Sequence, residues 1–321
     1  MLSDSLLGHR IVLRYRRSDA GAQPAHSDLV GELTGLTADT VTVTGRRGPV
    51  TIARSAVRIV RPVAANRRDI LELERITRLG WRAAHSVELD GWLMYADRGW
   101  TGRANSVLPL RTPARPLGSL LDAARDFYAG HGLPLQIQIP LPARGLLDAE
   151  LAGRCWRIER AAIVLTRTAT SHAAVAAAAV VAPPDSDSGY QVELAGRPAE
   201  DWLACYHYRG AALPHHAIEL LTRHDTVRFG TVRLDGQVVA IARGALDQGW
   251  LGVTAVEVVP EHRRRGVAGL LMRRLTGWAA AQEAHNCYLQ VDAGNSAALA
   301  FYAGLGFTEH HRYHYRLEPA G

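Results

Sequence analysis

The sequence predicts an α/β chain in which a small all-β unit precedes a longer region of helices and strands. Three observations carry this. Five short segments rich in β-branched residues fill the first sixty-odd positions. From about residue 199 onward, helical and strand-like patterns follow one another in α/β order. Within that region stands VVPEHRRRGVA (258–268), where an apolar run breaks at Pro260 into a basic, glycine-containing turn that opens a helix. That arrangement points backbone N–H groups and the positive end of a helix dipole at an anion.

The β segments are IVLRYR (11–16), LVGELTGL (29–36), TVTVTG (40–45), VTIA (50–53) and VRIV (57–60), separated by Gly, Asp, Ser and Pro. Such density suits a small SH3-like barrel over 1–63, closed to protect its edges, with RRSDAGAQPAHSD (16–28) as its longest loop. A helix starts after Asn66, an N-cap by type, with Ile70, Leu73, Ile76 and Leu79 on one face. Strands follow at 86–96 and 104–110, a helix at 117–133, the alternating strand PLQIQIPLP at 134–142, a helix at 146–155 and a strand at 161–168. Residues 171–189, ending APPDSDSG, read as a linker. Helices near 199–206 and 214–223 then precede strands 226–234, 237–246 and 250–259, helix 266–284, strand 286–292, helix 295–304 and strand 307–317. DFYAGHGLP (126–134) echoes AFYAGLGFT (300–308), which suggests that regions 66–170 and 190–321 are copies of one unit.

Composition sets the outer bounds. Apolar residues at 47% and charged residues at 21% belong to a globular chain with a substantial core. A net charge of +6 favours anionic partners without choosing among them. Every basic residue other than histidine is arginine, which excludes a lysine nucleophile, a Schiff-base lysine and a P-loop lysine. The three cysteines, Cys155, Cys205 and Cys287, are too few and too scattered for a disulfide framework or a zinc cluster, and fit a reducing cytoplasm. The N-terminal stretch does not read as a signal peptide, and the longest alanine-rich run (173–182) is too short to span a membrane.

Arg263, Gly266 and Ala268 fill the defined positions of [Q/R]-x-x-G-x-[G/A], and the segment resembles the acyl-CoA pyrophosphate loop of the GNAT acetyltransferase superfamily. NSAALAFYAGLGF (295–307) is similar to the superfamily's second signature at Asn295, Ala298, Tyr302, Gly306 and Phe307. The resemblance implies a mixed central sheet with helices on both faces, acetyl-CoA as co-substrate and no metal. It implies that Arg263, Arg264, Arg265, Gly266, Val267 and Ala268 cradle the pyrophosphate, that Val256 and Val258 pair with the pantetheine arm from a splayed strand, and that Asn295 touches the arm while capping its helix. Arg273 and Arg274 read as an exposed helix face. By the same resemblance Tyr302 is the general acid for the departing thiolate.

The acceptor amine must lose a proton before attack, and Glu257, flanked by Val256 and Val258, is the leading base. His85, His215, His216 and Asp292 are weaker choices. HHRYHY (310–315) alternates on a strand, so its histidines face opposite ways and do not suit a metal. The middle region resembles the amino-terminal half of tandem GNAT proteins, in which one copy keeps CoA binding and the other degenerates. Arg103, Asn105 and Ser106 form a polar cluster there that could turn the chain or line an acceptor pocket.

The whole arrangement resembles an actinobacterial family, some of whose members are labelled N-acetylglutamate synthase. This implies L-glutamate as acceptor and a place in arginine biosynthesis. Arg103, Asn105, Arg228 and Arg243 are the available recognition groups for its carboxylates. Two readings compete: a protein or peptide acetyltransferase whose barrel docks the target, and a non-catalytic acyl-CoA sensor that binds nucleic acid. Nucleic acid is the poorer partner because Tyr15 is the only aromatic residue in 1–63.

Overall fold

The computed structural model describes residues 6, 10–17, 26–45, 48–63, 65–168, 189–208, 210–284 and 286–319. Most of the expected linker (171–188) and of the expected barrel loop (18–25) lies outside them. The first unit has the five antiparallel strands expected: β1 (Arg10–Arg16), β2 (His26–Leu36), β3 (Thr40–Gly45), β4 (Gly48–Ala53) and β5 (Val57–Pro62). Alternation builds its core, with Ile11 and Leu13 on β1, Leu33 on β2 and Val41 and Val43 on β3 all facing inward. The order is β4-β3-β2-β1-β5. Its two end strands are joined through a 3-10 turn at Arg54–Ala56 rather than by a ladder among the described residues, so hydrogen bonding does not close the barrel as expected. An ion pair from Arg10 to Asp69 (2.8 Å) ties β1 to the next helix.

That helix is α1 (Arg67–Leu79), and Asn66 caps it by accepting from the Asp69 amide at 3.0 Å. Then come β6 (His85–Leu89), β7 (Trp92–Ala96), β8 (Val107–Pro109), α2 (Leu117–Gly130), β9 (Gln136–Leu141), α3 (Gly145–Gly153) and β10 (Arg157–Thr168). The single strand expected at 86–96 is a hairpin, because Asp90 and Gly91 both take positive φ and reverse the chain. The remainder comprises β11 (Gln191–Ala195), α4 (Glu200–Cys205), the short pair β12 (His207–Tyr208) and β13 (Ala211–Ala212), α5 (His215–Thr222), β14 (Val227–Leu234), β15 (Gln237–Asp247), β16 (Trp250–Val258), α6 (Val267–Ala280), β17 (Asn286–Asp292), α7 (Ser296–Gly304) and β18 (Thr308–Leu317).

Eleven of these strands form one mixed sheet, β11-β14-β15-β16-β17-β10-β18-β9-β8-β7-β6. β10 sits against β17, and β18 sits against β9, so each half gives its last strand to the other. A cut between 170 and 190 therefore does not divide the body into two folding units; the exchange leaves neither half with an open edge at the junction. The β10–β18 ladder is nearly symmetric: Arg157 pairs with Leu317 at one end and Thr166 with Thr308 at the other, about Ala162 and Tyr313. The order β8-α2-β9-α3-β10 repeats β16-α6-β17-α7-β18, and both β8–β9 and β16–β17 are parallel.

The duplication thus stands on topology, while the FYAG echo is out of register. Residues 126–134 close α2, whose counterpart is α6, whereas 300–308 close α7. The true match is between the ends of α3 and α7. Trp156 donates its amide to the Leu151 carbonyl (3.1 Å) after Cys155 at φ 64°, as Phe307 donates to Tyr302 (3.0 Å) after Gly306 at φ 79°.

Helices cover both faces. Ala162 and Val164 of β10 pack with Leu73 and Ile76 of α1, while Ile163 and Leu165 point the other way, into the core of α6. α6 lies close to the sheet because Gly244 leaves room: a Cβ there would stand 2.9 Å from Leu275 Cδ2. Under α1 the fully buried Glu74 accepts from Gln138 Nε2 (2.7 Å) and lies 2.7 Å from His311 Nε2, a polar tie between the first half and β18.

Candidate active site

β16 pairs with β17 only from Trp250 to Val253. Beyond that point it keeps its ladder to β15 but diverges from β17. The cause is a bulge: Ala255 takes φ 54°, and the β15–β16 register shifts between Ile241 and Arg243. Val256 and Val258 thereby lie on a splayed edge, with backbone groups that β17 does not meet.

A 3-10 turn at Pro260–His262 follows, then Arg264 at φ 60° and Gly266 at φ 78°, and then α6. Left-handed residues two apart fold successive amides into a concave nest. Apart from its chain neighbours, no residue comes within 4 Å of the place a Gly266 Cβ would occupy, so the nest opens outward. The amides of Val267 and Ala268, in the first turn of α6, have no intrahelical acceptor. Arg263 folds back, its Nε donating to the Val258 carbonyl (3.0 Å), which fixes the loop to the splayed strand. Arg264 and Arg265 are exposed, and buried Val267 anchors the helix start. Donor amides, guanidinium groups and an unladdered strand edge in succession fit a pyrophosphate carried on an amide-containing arm. Arg273 and Arg274 lie on the exposed face of α6.

Asn295 caps α7, accepting from the Ala298 amide at 3.0 Å. Tyr302 on the same helix is buried, edge-on to Phe301 (5.0 Å) and Phe307 (5.7 Å). Burial pushes its phenol well above the usual tyrosine range, so it keeps its proton at neutral pH.

A cavity of about 330 Å³ opens where the exchanged strands meet the splayed one, and Arg103, Arg160, Glu257, Asp292, Tyr313 and Tyr315 help to line it. Glu257 accepts from the His207 amide (2.8 Å), with the His207 ring Nδ1 3.4 Å away. Of the four residues expected at the acceptor, only Arg103 is in this lining. Asn105 is buried and closes its own loop, accepting from the amides of Asp97 (2.6 Å) and Gly99 (3.0 Å) and donating to the Thr101 carbonyl. Arg243 is buried too, bonded to the Leu221 and Gly80 carbonyls, and burial pulls it down to about 10. Arg228 stacks on Trp278 outside the cavity.

Tyr302 is absent from the cavity lining as well; it belongs to the core cluster that Val256 and Val258 join. Among the alternative bases, Asp292 lines the cavity, whereas His85 stacks on His131 (4.6 Å) and His215 and His216 begin α5. In HHRYHY, His311 turns to Glu74 and His314 to Asp148 (2.7 Å). No group of three or more metal-binding side chains occurs among the described residues.

Sequence reasoning missed His207 and Arg160. Arg160 takes φ 51° in a bulge between Glu159 and Ala162, and its guanidinium lies over the Tyr315 ring at 4.8 Å. A break in strand alternation at ERAA (159–162) is the only local sign of it.

A family model described as "Probable histone acetyltransferase Rv0428c C-terminal" matches residues 68–316, and "Rv0428c N-terminal Sm-like domain" matches residues 5–61. The chain belongs to this family. It is 30% identical over 342 residues to "Probable histone acetyltransferase Rv0428c" of Mycobacterium tuberculosis (strain ATCC 25618 / H37Rv), covering 100% of this chain and 97% of the relative. It is 26% identical over 256 residues to "Uncharacterized N-acetyltransferase YobR" of Bacillus subtilis (strain 168), covering 78% of this chain and 99% of that one. Among solved structures, a GCN5-related N-acetyltransferase from Kribbella flavida aligns with a TM-score of 0.58 at 17% identity, over 78% of this chain and 96% of its own. A tandem GNAT protein from the clavulanic acid biosynthesis pathway aligns with a TM-score of 0.53 at 13% identity, over 81% and 91%. These two show the fold. The chain is therefore an acyltransferase of the GNAT type, and its fold implies acetyl-CoA as co-substrate. The small β unit corresponds to the Sm-like domain of the family and only loosely to an SH3 barrel. No helix among the described residues is long and apolar enough to cross a membrane.

Proposed function

We propose that the chain transfers acetyl from acetyl-CoA to the α-amino group of a small amino acid, with L-glutamate as the preferred acceptor, in the cytoplasm. The observation that carries this reading is the cavity that holds Glu257 of the splayed strand together with Arg103. Its volume of about 330 Å³ suits a small molecule, and it offers a carboxylate toward an amine and a guanidinium toward a carboxylate. The nest at Arg263–Ala268 would hold the pyrophosphate, the edge at Val256 and Val258 the arm, and Asn295 would steady both arm and helix. Bound there, the co-substrate supplies an acyl group activated as a thioester. Glu257, held by the His207 amide, removes a proton from the acceptor amine. Tyr302, protonated at neutral pH as a phenol is, supplies a proton to the leaving sulfur.

A second reading has one observation behind it: the Mycobacterium relative is named "Probable histone acetyltransferase Rv0428c". In that reading a lysine or a chain N-terminus is the acceptor and the Sm-like unit docks its carrier. Free-thiol release from acetyl-CoA, measured across amino acids, polyamines and peptides, separates the two. Glutamate-dependent release supports the first reading and peptide-only release the second. Acetyl-CoA binding without release with any amine would leave a non-catalytic acyl-CoA sensor.

A further inference from the structure

The pseudo-symmetry of the body gives the N-terminal half a counterpart of the co-substrate site, between the end of β8, the start of α2 and the start of α3. A cavity of about 430 Å³ lies there. Its chemistry is unlike that of its twin. The N-cap of α2 is Pro116 where α6 has Gly266, and Pro109, Pro113 and Pro142 lie in the lining, so the Gly266 amide and its left-handed turn have no equivalent. The N-cap of α3 is Arg144 where α7 has Asn295. Arg67 and Arg111 reach the same cavity from α1 and from the loop before α2.

We propose that this cavity binds a small organic oxyanion, a carboxylate carried on an apolar body. Two unmet donors support it first. Arg144 is 6% exposed, its Nε donates to the Pro109 carbonyl (2.6 Å), and its Nη2 is buried with no acceptor. Trp92, also in the lining and fully buried, has its indole Nε1 without an acceptor. Unmet buried donors are costly, and two of them beside one cavity call for an acceptor.

The charges agree. Among the described residues none of Arg67, Arg111 and Arg144 forms an ion pair, and the one carboxylate in the lining, Glu150, pairs instead with Arg154 (3.2 Å). Burial, with the nearby charge of Arg67 adding to it, pulls Arg144 down to about 10, and an anion would relieve that repulsion. The apolar body follows from Leu117, Leu147 and above all Leu146, which is 91% exposed at the first turn of α3 in the cavity lining.

Calorimetric titration of the full chain with hexanoate, under saturating CoA so that the C-terminal half is occupied, tests this. Hexanoate should bind with a stoichiometry of about one, inorganic phosphate should bind more weakly, and R67Q/R111Q should weaken hexanoate about tenfold. Both of those arginines are exposed, so that variant keeps the fold; R144M removes the buried donor and serves as the second variant. Absence of hexanoate binding, an unchanged Kd in R67Q/R111Q, or phosphate binding as tight as hexanoate would each overturn the assignment. So would a second equivalent of CoA displaced by hexanoate, which would make the cavity another co-substrate site. None of these outcomes depends on whether glutamate is the acceptor.

Discussion

Where α6 begins, the C-terminal half has Gly266 in a left-handed conformation with open space before it; where α2 begins, the N-terminal half has Pro116. Where α7 carries Tyr302, α3 carries Leu151, and both are buried at the same point of the same helix-ending turn. The two halves keep one chain path because that path depends on apolar alternation, on parallel strands flanking a helix and on a left-handed residue closing the last helix. Those requirements tolerate Leu for Tyr and Cys155 for Gly306. In the mechanism proposed above, acyl transfer needs both the amide at Gly266 and the phenol of Tyr302. Scaffold and chemistry have therefore separated within one sheet, and the exchanged strands keep the halves together.

Carrying residues of the first half into the second breaks the comparison most directly. Gly266→Pro should have the largest effect: proline cannot reach φ 78° and has no amide to give. Acetyl-CoA affinity should fall about a thousandfold by calorimetry, roughly 4 kcal/mol, with circular dichroism unchanged. Affinity within threefold of the parent would remove the nest from the binding site. Next comes Leu151→Ala in the first half. Leu151 is fully buried, so the variant should lose about 3 kcal/mol of stability in urea unfolding, while kcat of the folded enzyme stays near the parent value. A matching loss of kcat would mean that the end of α3 takes part in the reaction.

Tyr302→Phe is the sharper test of the second half. It preserves the edge-on contacts with Phe301 and Phe307, and kcat should fall about a hundredfold with little change in KM for acetyl-CoA. Unchanged turnover would reduce Tyr302 to a core side chain, as its counterpart Leu151 is.

What the sequence discloses follows the same division. The nest and Asn295–Phe307 are legible because each gathers its contacts within one short segment, and a strand, a cap and a turn leave local marks. Asn66 is of the same kind: its capping bond to Asp69 spans three residues. The strand exchange leaves no such mark, since β10 meets β17 and β18 only in space. The cavity at Glu257 is equally non-local, drawing Arg103, Arg160 and Glu257 from three separate segments. Arg103 and Arg243 are alike in sequence, and only burial sends Arg243 to two backbone carbonyls. Bulges at Arg160 and Ala255 turn side chains that a regular strand pattern would misplace.

The exchanged strand β18 supplies the smallest predicted effect, and it bears on what unites the halves. His310 Nδ1 lies 2.8 Å from His311 Nδ1, and His311 in turn meets buried Glu74 of α1. Burial, reinforced by His311 and opposed by Glu74, lowers His310 to about 4. The unfolded chain, with an ordinary histidine near 6.5, binds that proton more tightly. Stability is then complete above pH 6.5 and is lost as pH falls toward 4, about 2 kcal/mol of it by pH 4.5. Carboxylates add to the loss only at the acid end of that window and do so equally in parent and variant. At Asp148, hydrogen bonds from Arg316 and His314 outweigh the effect of burial and hold it below its usual range, so its contribution is lost as pH falls through about 4 and below. Urea unfolding at pH 7.0, 5.5 and 4.5 reads the slope, and His310→Phe should flatten it. An equal slope in parent and variant would mean that the junction of the two halves is not where acid loosens the sheet.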